Sequence, residues 1–125
     1  MNGVLLDTDI VIEVLRKRDS GILARWLQLA ATAEAVFYTT VTADELWQGL
    51  RKGEEDAVLR LLSTMTCLPL SLGVGRTAGE YLRRYAPSHG LELGDAPIDA
   101  AAVLHGHALW TRNRKHYPMA DIELF

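Results

Sequence analysis

Six side chains with oxygen donors stand where a folded chain could bring them together: Asp7, Asp9, Glu45, Asp95, Asp99 and Asn113. Asp95 and Asp99 are four residues apart, so on a helix they share one face. Carboxylates crowded together repel one another and resist ionisation unless a cation compensates. Mg²⁺ and Mn²⁺ supply that compensation through oxygen ligands, and Mg²⁺ usually keeps waters plus one or two carboxylates. Two such ions about 4 Å apart can activate water and stabilise the leaving oxygen of a phosphodiester. An acidic set without His or Cys partners therefore points to phosphate chemistry rather than to zinc hydrolysis. The histidines do not alter this, because His89, His105, His107 and His116 lack metal-ligand spacing. His105-Gly106-His107 reads instead as a helix-to-strand turn.

The elements that must position these groups alternate along the chain. Val4–Leu6 is a short apolar run that suits a buried strand meeting a turn. Residues 9–17 and about 20–33 have apolar positions at helical spacing, and Ala35–Thr39 is β-branched and aromatic, a second strand. Helices are expected from Thr42 to about Lys52 and from Glu54 to Met65, then a strand over Thr66–Leu70 and a helix from Leu72 to about His89. A helix from Asp95 to about Gly106 tolerates Pro97 in its first turn. His107–Thr111 is a fourth strand and Asp121–Leu124 a fifth. Strands alternating with helices predict an α/β fold with a mostly parallel sheet. No repeat, low-complexity stretch or linker divides the chain, so residues 1–125 are expected to form one domain.

In such sheets ligands bind beyond the carboxyl ends of the strands. Asp7 and Asp9 directly follow the first strand, Glu45 lies one turn into the helix after the second, and Asn113 comes two residues after the fourth. Each acid also has a structural role open to it. Asp7 and Asp9 could cap the following helix, Asp95 is an attractive N-cap, and Thr42-Ala43-Asp44-Glu45 fits a capping box. Asp99 has no capping role. Set among Ile98, Ala100, Ala101 and Ala102, it requires solvent or a cation.

Composition narrows the classes further. The chain has 125 residues, 49% hydrophobic and 23% charged, which is ordinary for a globular domain large enough to bury a core. No apolar run approaches the ~20 residues of a membrane span, and Met1–Leu6 is too short for a signal peptide. A single cysteine, Cys67, excludes a disulfide framework or a Cys-rich zinc site; it reads as a small buried hydrophobe in a chain of the reducing cytosol. The net charge of −3 argues against DNA wrapping or membrane-surface binding. It is compatible with a nuclease whose acids are neutralised by metal ions.

The ordered set Leu5-Leu6-Asp7-Thr8-Asp9-Ile10, Thr42-Ala43-Asp44-Glu45-Leu46, Gly94-Asp95-Ala96-Pro97-Ile98-Asp99-Ala100-Ala101-Ala102 and Leu109-Trp110-Thr111-Arg112-Asn113 resembles the PIN-domain family, in particular its small VapC-type toxins. The resemblance implies a three-layer α/β/α sandwich around a mostly parallel five-stranded sheet. It also implies an acidic pocket for Mg²⁺ or Mn²⁺, and cleavage of RNA by the toxin half of a toxin–antitoxin pair. Asp7, Glu45 and Asp95 match the family's three principal acids. Asp99, where many members carry a small residue, could join the metal shell. The family's last site residue, often acidic, aligns with Asn113, and His116-Tyr117 stands where relatives show an acid followed by an aromatic.

On this reading Asp7, Glu45, Asp95 and Asp99 are catalytic, with Asp7, Asp95, Asp99 and Asn113 at the metal. Thr8, Thr111, Arg112 and Arg114 would contact substrate, and single-stranded RNA loops are the expected target. A VapB-type antitoxin whose disordered tail folds on binding is the expected partner, alongside a homodimer. Apolar helix faces carrying Trp26, Trp47 and Leu50 are candidates for the antitoxin's groove. The chain alone is not expected to bind DNA.

Two other classes compete. Val4–Asp9 and Gly94–Asp99 also resemble the motifs of haloacid-dehalogenase-like phosphatases, with Asp7 as nucleophile and Asp9 as acid–base. Against that, the only lysines are Lys17, Lys52 and Lys115, none shortly before Gly94, and the Gly-Asp pair opens a helix instead of following a strand. A non-catalytic interaction domain would leave Asp99 on its alanine-rich face unexplained.

Overall fold

The computed structural model describes residues 3–32, 34–112, 119 and 121–125. Its elements are β1 (Val4–Leu6), α1 (Thr8–Arg16), α2 (Ser20–Ala30), β2 (Val36–Thr39), α3 (Thr40–Gln48), α4 (Glu55–Ser63), β3 (Thr66–Leu68), α5 (Leu72–His89), α6 (Asp95–His105) and β4 (Ala108–Trp110). The strands form one sheet in the order β3-β2-β1-β4, and every pair is parallel. Val4 pairs with both Val36 and Ala108, so β1 lies inside the sheet.

Alternation along the strands assigns side chains to two layers. Leu5, Leu109 and Leu68 pack with Val74, Ala78 and Tyr81 of α5 and with Ile98 and Ala101 of α6. Val4, Leu6 and Trp110 pack on the other face with Ile10, Val14, Trp26, Val58 and Leu62 from α1, α2 and α4. The result is the expected three-layer α/β/α sandwich. The sheet, however, has four strands. The segment expected as a fifth, Asp121–Leu124, makes only an isolated parallel bridge between Leu124 and Leu109. Its anchorage is instead a hydrogen bond from the Leu109 N–H to Glu123, one from the Phe125 N–H to Leu109, and the Tyr81 hydroxyl donating to Asp121.

Cys67 is the second correction: it is exposed, because β3 is an edge strand and only Leu68 of its three residues turns inward. Two helix starts also differ. α3 begins at Thr40 after Thr39, two residues before Thr42, so Thr42 is buried inside the helix and no capping box forms. Asp95 is the first residue of α6, following Gly94, and its side chain caps no backbone N–H. The His105-Gly106-His107 turn is as expected, since Gly106 ends α6 with φ 69°, a conformation glycine adopts without strain.

Gly3, immediately before β1, has a different reason to be glycine. A Cβ there would lie 2.6 Å from the Ala35 carbonyl oxygen and 2.8 Å from the Phe37 ring. The carbonyl belongs to the backbone that receives the Val4 N–H at 2.9 Å, so it cannot move aside without loosening β1 from β2. Gly3→Ala should destabilise the fold by about 2 kcal/mol, read as a lower melting temperature. An unchanged melting temperature would show that the β1–β2 contact is slack.

Candidate active site

The chain leaves β1 towards β2 on one side, and β4 is later added on the other side of β1. The strand order therefore reverses between β1 and β4, and the crevice beyond their carboxyl ends is where α/β sheets bind ligands. Asp7 follows β1 there, and Thr111 follows β4.

Asp7 fills its cap role and its site role together. As N-cap of α1 it accepts the Thr8 N–H on Oδ1 at 2.8 Å, while Oδ2 accepts the Thr111 hydroxyl at 2.9 Å. Both partners are buried with it. Thr8 continues the network on α1: its hydroxyl donates to Glu45 Oε1 at 3.1 Å and lies 2.9 Å from the Thr42 hydroxyl. With the Thr8 proton given to Glu45, Thr42 becomes the donor to Thr8. This chain ties α1 to α3 and holds an otherwise exposed carboxylate over the crevice. Glu45 Oε1 also lies 3.9 Å from where a Gly94 Cβ would stand, which brings the start of α6 to the same place.

Electrostatics show which acids meet. Burial first, and then the charge of Asp9, push the Asp7 carboxyl up to about 6; the Thr111 and Thr8 hydrogen bonds pull it back, and Glu45 raises it further. Asp95 is likewise raised to about 6, by burial first and then by Asp7, Glu92 and Glu45. Asp9 is raised by burial, with a contribution from Asp95, while the Ile10 N–H and the charge and N–H of Arg112 act in the other direction. Asp7, Asp9, Glu45 and Asp95 thus form one mutually repelling set.

Asp99 is placed differently. It is 1% exposed within α6, its charge contributes to raising the Tyr81 hydroxyl on α5, and it is not among the main charges acting on Asp95. Arg112 is half-exposed and its guanidinium donates to the buried Glu13 of α1. Thr8 and Thr111, expected at the substrate, have their hydroxyls on Glu45 and Asp7. Asn113, Arg114 and His116-Tyr117 lie outside the described residues.

Three contributors escaped the sequence reading of the site: Thr42 as the hydroxyl relay of the acidic set, Glu92 as a charge beside Asp95, and Glu13; Asp9, read there as a candidate with a cap role open to it, joins the set. The i, i+4 spacing of Asp9 and Glu13 was an available signal. Thr42 gave none, because a hydroxyl two residues later than a helix start looks like the start itself.

The donor set fits a hard divalent cation. Every donor is oxygen, the carboxylates raise one another, and Asp9 Oδ1 is buried without a hydrogen-bond partner. Among the described residues no three His, Cys, Asp or Glu side chains are gathered closely enough to cage an ion. Water would complete such a shell, as it usually does for Mg²⁺.

The raised carboxyls set a pH dependence. Between an unfolded value near 3.8 and a folded value of about 6, the folded chain binds more protons than the unfolded one. Stability therefore falls as pH rises through that interval and stays lower above it. Asp95→Asn removes one half-buried charge. Allowing for solvent screening, it should gain about 1 kcal/mol, or about 3 °C in melting temperature, in EDTA at about pH 7.5. The gain should shrink as pH falls below about 6 and vanish only below the unfolded value of 3.8, where the carboxyl is protonated in both states. A variant that melts no higher than wild type at about pH 7.5 would show that Asp95 is not crowded by the other acids.

Comparison with known proteins places this arrangement. The PIN domain family profile matches residues 4–122. The chain is 35% identical over 121 residues to ribonuclease VapC10 of Mycobacterium tuberculosis, covering 94% of this chain and 88% of that relative. It is 30% identical over 134 residues to toxin FitB of Neisseria gonorrhoeae, covering 98% and 96%. A solved toxin–antitoxin complex from Klebsiella pneumoniae contains a chain that is 26% identical, covers 98% of this chain and 100% of its own, and superposes with a TM-score of 0.76. The metal motif of the phosphatase alternative would have to follow a strand; here Gly94-Asp95 follows α5 and opens α6. With its acids at the β1–β4 crevice and similarity running through nearly its whole length, the chain belongs to the PIN-domain family, alongside VapC and FitB.

Proposed function

We propose that this chain is a Mg²⁺- or Mn²⁺-dependent endoribonuclease and the toxin of a toxin–antitoxin pair. The observation that carries the reading is the Asp7 carboxylate, buried at the strand-order reversal, oriented by the Thr8 N–H and the Thr111 hydroxyl, and repelled by Asp9 and Glu45. The relatives' names, a ribonuclease and a toxin, support it.

Asp7 and Asp95 would hold the ion, with Asp9 and Glu45 within reach of its shell. The ion, when bound, supplies a water of lowered pKa and neutralises charge on the phosphate under attack. Thr111 keeps the Asp7 carboxylate from rotating away, and Thr8 does the same for Glu45 through Oε1. The exposed Glu45 carboxylate is then positioned to accept a proton from an attacking water. Asp99, buried in α6 one turn after Asp95, remains the expected fourth acid. Single-stranded RNA loops remain the expected substrate, because side chains cannot read bases deep in an A-form helix.

The partner reading has support in an apolar groove of about 470 Å³ between α1, α2 and α4, lined by Leu15, Leu23, Trp26, Leu27 and Leu61 among others. Leu27 is 60% exposed there, and an apolar segment of an antitoxin would cover it. Trp26 is mostly core and only rims the groove, while Trp47 is exposed on α3. Homodimer formation and a cytosolic location remain part of the proposal. Among the described residues no helix is long and apolar enough to cross a membrane.

End-labelled structured RNA should be cut in Mg²⁺ or Mn²⁺, and the cuts should disappear with EDTA and with Asp95→Asn. Thr111→Val, which frees the Asp7 carboxylate, should slow cleavage about tenfold or more while leaving the fold intact. Cuts that persist in Asp95→Asn would trace the activity to another ribonuclease. No cutting, with phosphate released from a small phosphomonoester, would replace the proposal with the phosphatase.

A further inference from the structure

We infer that Arg18 and Arg112, gathered on the carboxylate of Glu13, form a binding subsite for a phosphodiester of the RNA strand beside the acidic set. This rests on the nuclease reading above and adds to it a substrate contact, Arg18, and a holder, Glu13.

Glu13 lies on α1 four residues after Asp9, hence one turn further along the same face. Its side chain is 7% exposed, and Oε1 accepts both the Arg18 Nη2 at 2.7 Å and the Arg112 Nη1 at 3.1 Å. The two arginine side chains are about half-exposed, 54% for Arg18 and 47% for Arg112. The Glu13 carboxylate is thus hidden beneath two partly exposed cationic side chains, one of which, Arg112, also acts on Asp9, on a chain whose net charge is −3.

Geometry sets the pair next to the chemistry. Arg112 follows Thr111, whose hydroxyl holds Asp7, and its N–H and charge act on Asp9. Arg18 returns to Glu13 because Lys17 ends α1 with φ 56° and ψ 36°. Lys17 is the one non-glycine residue with positive φ among the described residues, and a residue with a Cβ adopts that conformation at some cost. The turn caps α1, with the Lys17 N–H on the Glu13 carbonyl at 2.8 Å, and in doing so brings Arg18 back over Glu13.

One cation would neutralise Glu13. Two sharing one oxygen repel each other, and an anion bridging their remaining N–H groups relieves that repulsion. Each guanidinium has five donors and gives one of them to Glu13. Anchoring also removes rotamer freedom before the ligand arrives, so less is lost on binding. The planar forks suit phosphate oxygens and read no base, so the contact is independent of sequence.

The test measures binding of a fluorescently labelled single-stranded RNA to the full chain carrying Asp95→Asn, which keeps the RNA intact, over a salt series in Mg²⁺. Adding Arg18→Ala should weaken binding roughly fivefold and reduce the slope of log K against log salt by about 0.7, the loss of one phosphate contact on a single strand. Arg112→Ala should do the same, and Arg18→Lys should restore most of the slope. In the cleaving protein Arg18→Ala should raise KM and leave kcat unchanged, a split that a merely structural residue would not produce. Arg76→Ala on α5 makes the same charge change elsewhere and should leave the slope alone.

If the wild type cuts RNA but Arg18→Ala changes neither affinity nor slope, the subsite is overturned and the nuclease stands. An equal loss in Arg76→Ala would also overturn it, by showing a general charge effect. A wild type that neither binds nor cuts RNA ends both readings. Should Arg112→Ala unfold, Arg18→Ala decides, since Arg18 is a half-exposed side chain beyond the end of α1.

Discussion

A carboxylate buried at the end of a central strand is an unfavourable thing to build, and much of this structure surrounds that one group. Asp7 loses hydration at the carboxyl end of β1 and faces other acids, which together push it up to about 6. Three features lower the penalty. The Thr8 N–H and the Thr111 hydroxyl each donate to it, and it sits at the N-terminus of α1, where the peptide dipoles favour negative charge. None of these cancels the charge, so the carboxylate keeps a raised pKa.

The sheet exists in the form that makes this possible. β1 must be inside the sheet for its end to be flanked by β2 and β4, and parallel pairing aligns all the carboxyl ends on one edge. Apolar packing on both faces fixes the register, because a slip by one residue would exchange Leu5 with Val4 and Leu6 between the two layers. The Thr111–Asp7 and Thr8–Glu45 hydrogen bonds then convert strand order into carboxylate orientation. Residues 104 and 37 positions apart in sequence meet as a consequence of topology.

Acid and base meet along α1. Its first turn carries Asp9 with Asp7 at the cap, and Glu13 one turn on receives Arg18 from beyond the helix end and Arg112 from beyond β4. Asp9 and Glu13 stand on one helix, which keeps the acidic set and the arginine pair at a fixed separation. The apolar groove that α1 shares with α2 and α4 lies on the same helix, so a partner seated there would contact the element that also bears the site.

The sequence by itself determined the elements and the identity of the acids. Periodicity located α5 from Leu72 to His89 and β1 from Val4 to Leu6, since local backbone preference and burial agree there. Motif order was enough to single out Asp7, Glu45 and Asp95. Tertiary structure alone decided what the neighbouring polar groups do. Thr42 looks like a cap until α3 begins two residues earlier, because a hydroxyl's partner depends on which helix packs opposite it. Asp99 shares a helical face with Asp95, but its charge is felt on α5, because a side chain one turn deeper meets a different neighbour. Cys67 and the Asp121–Leu124 segment were misjudged for a related reason. Whether a strand is central, at the edge or never completed is set by the number of partners the sheet recruits, and no local run of residues encodes that number.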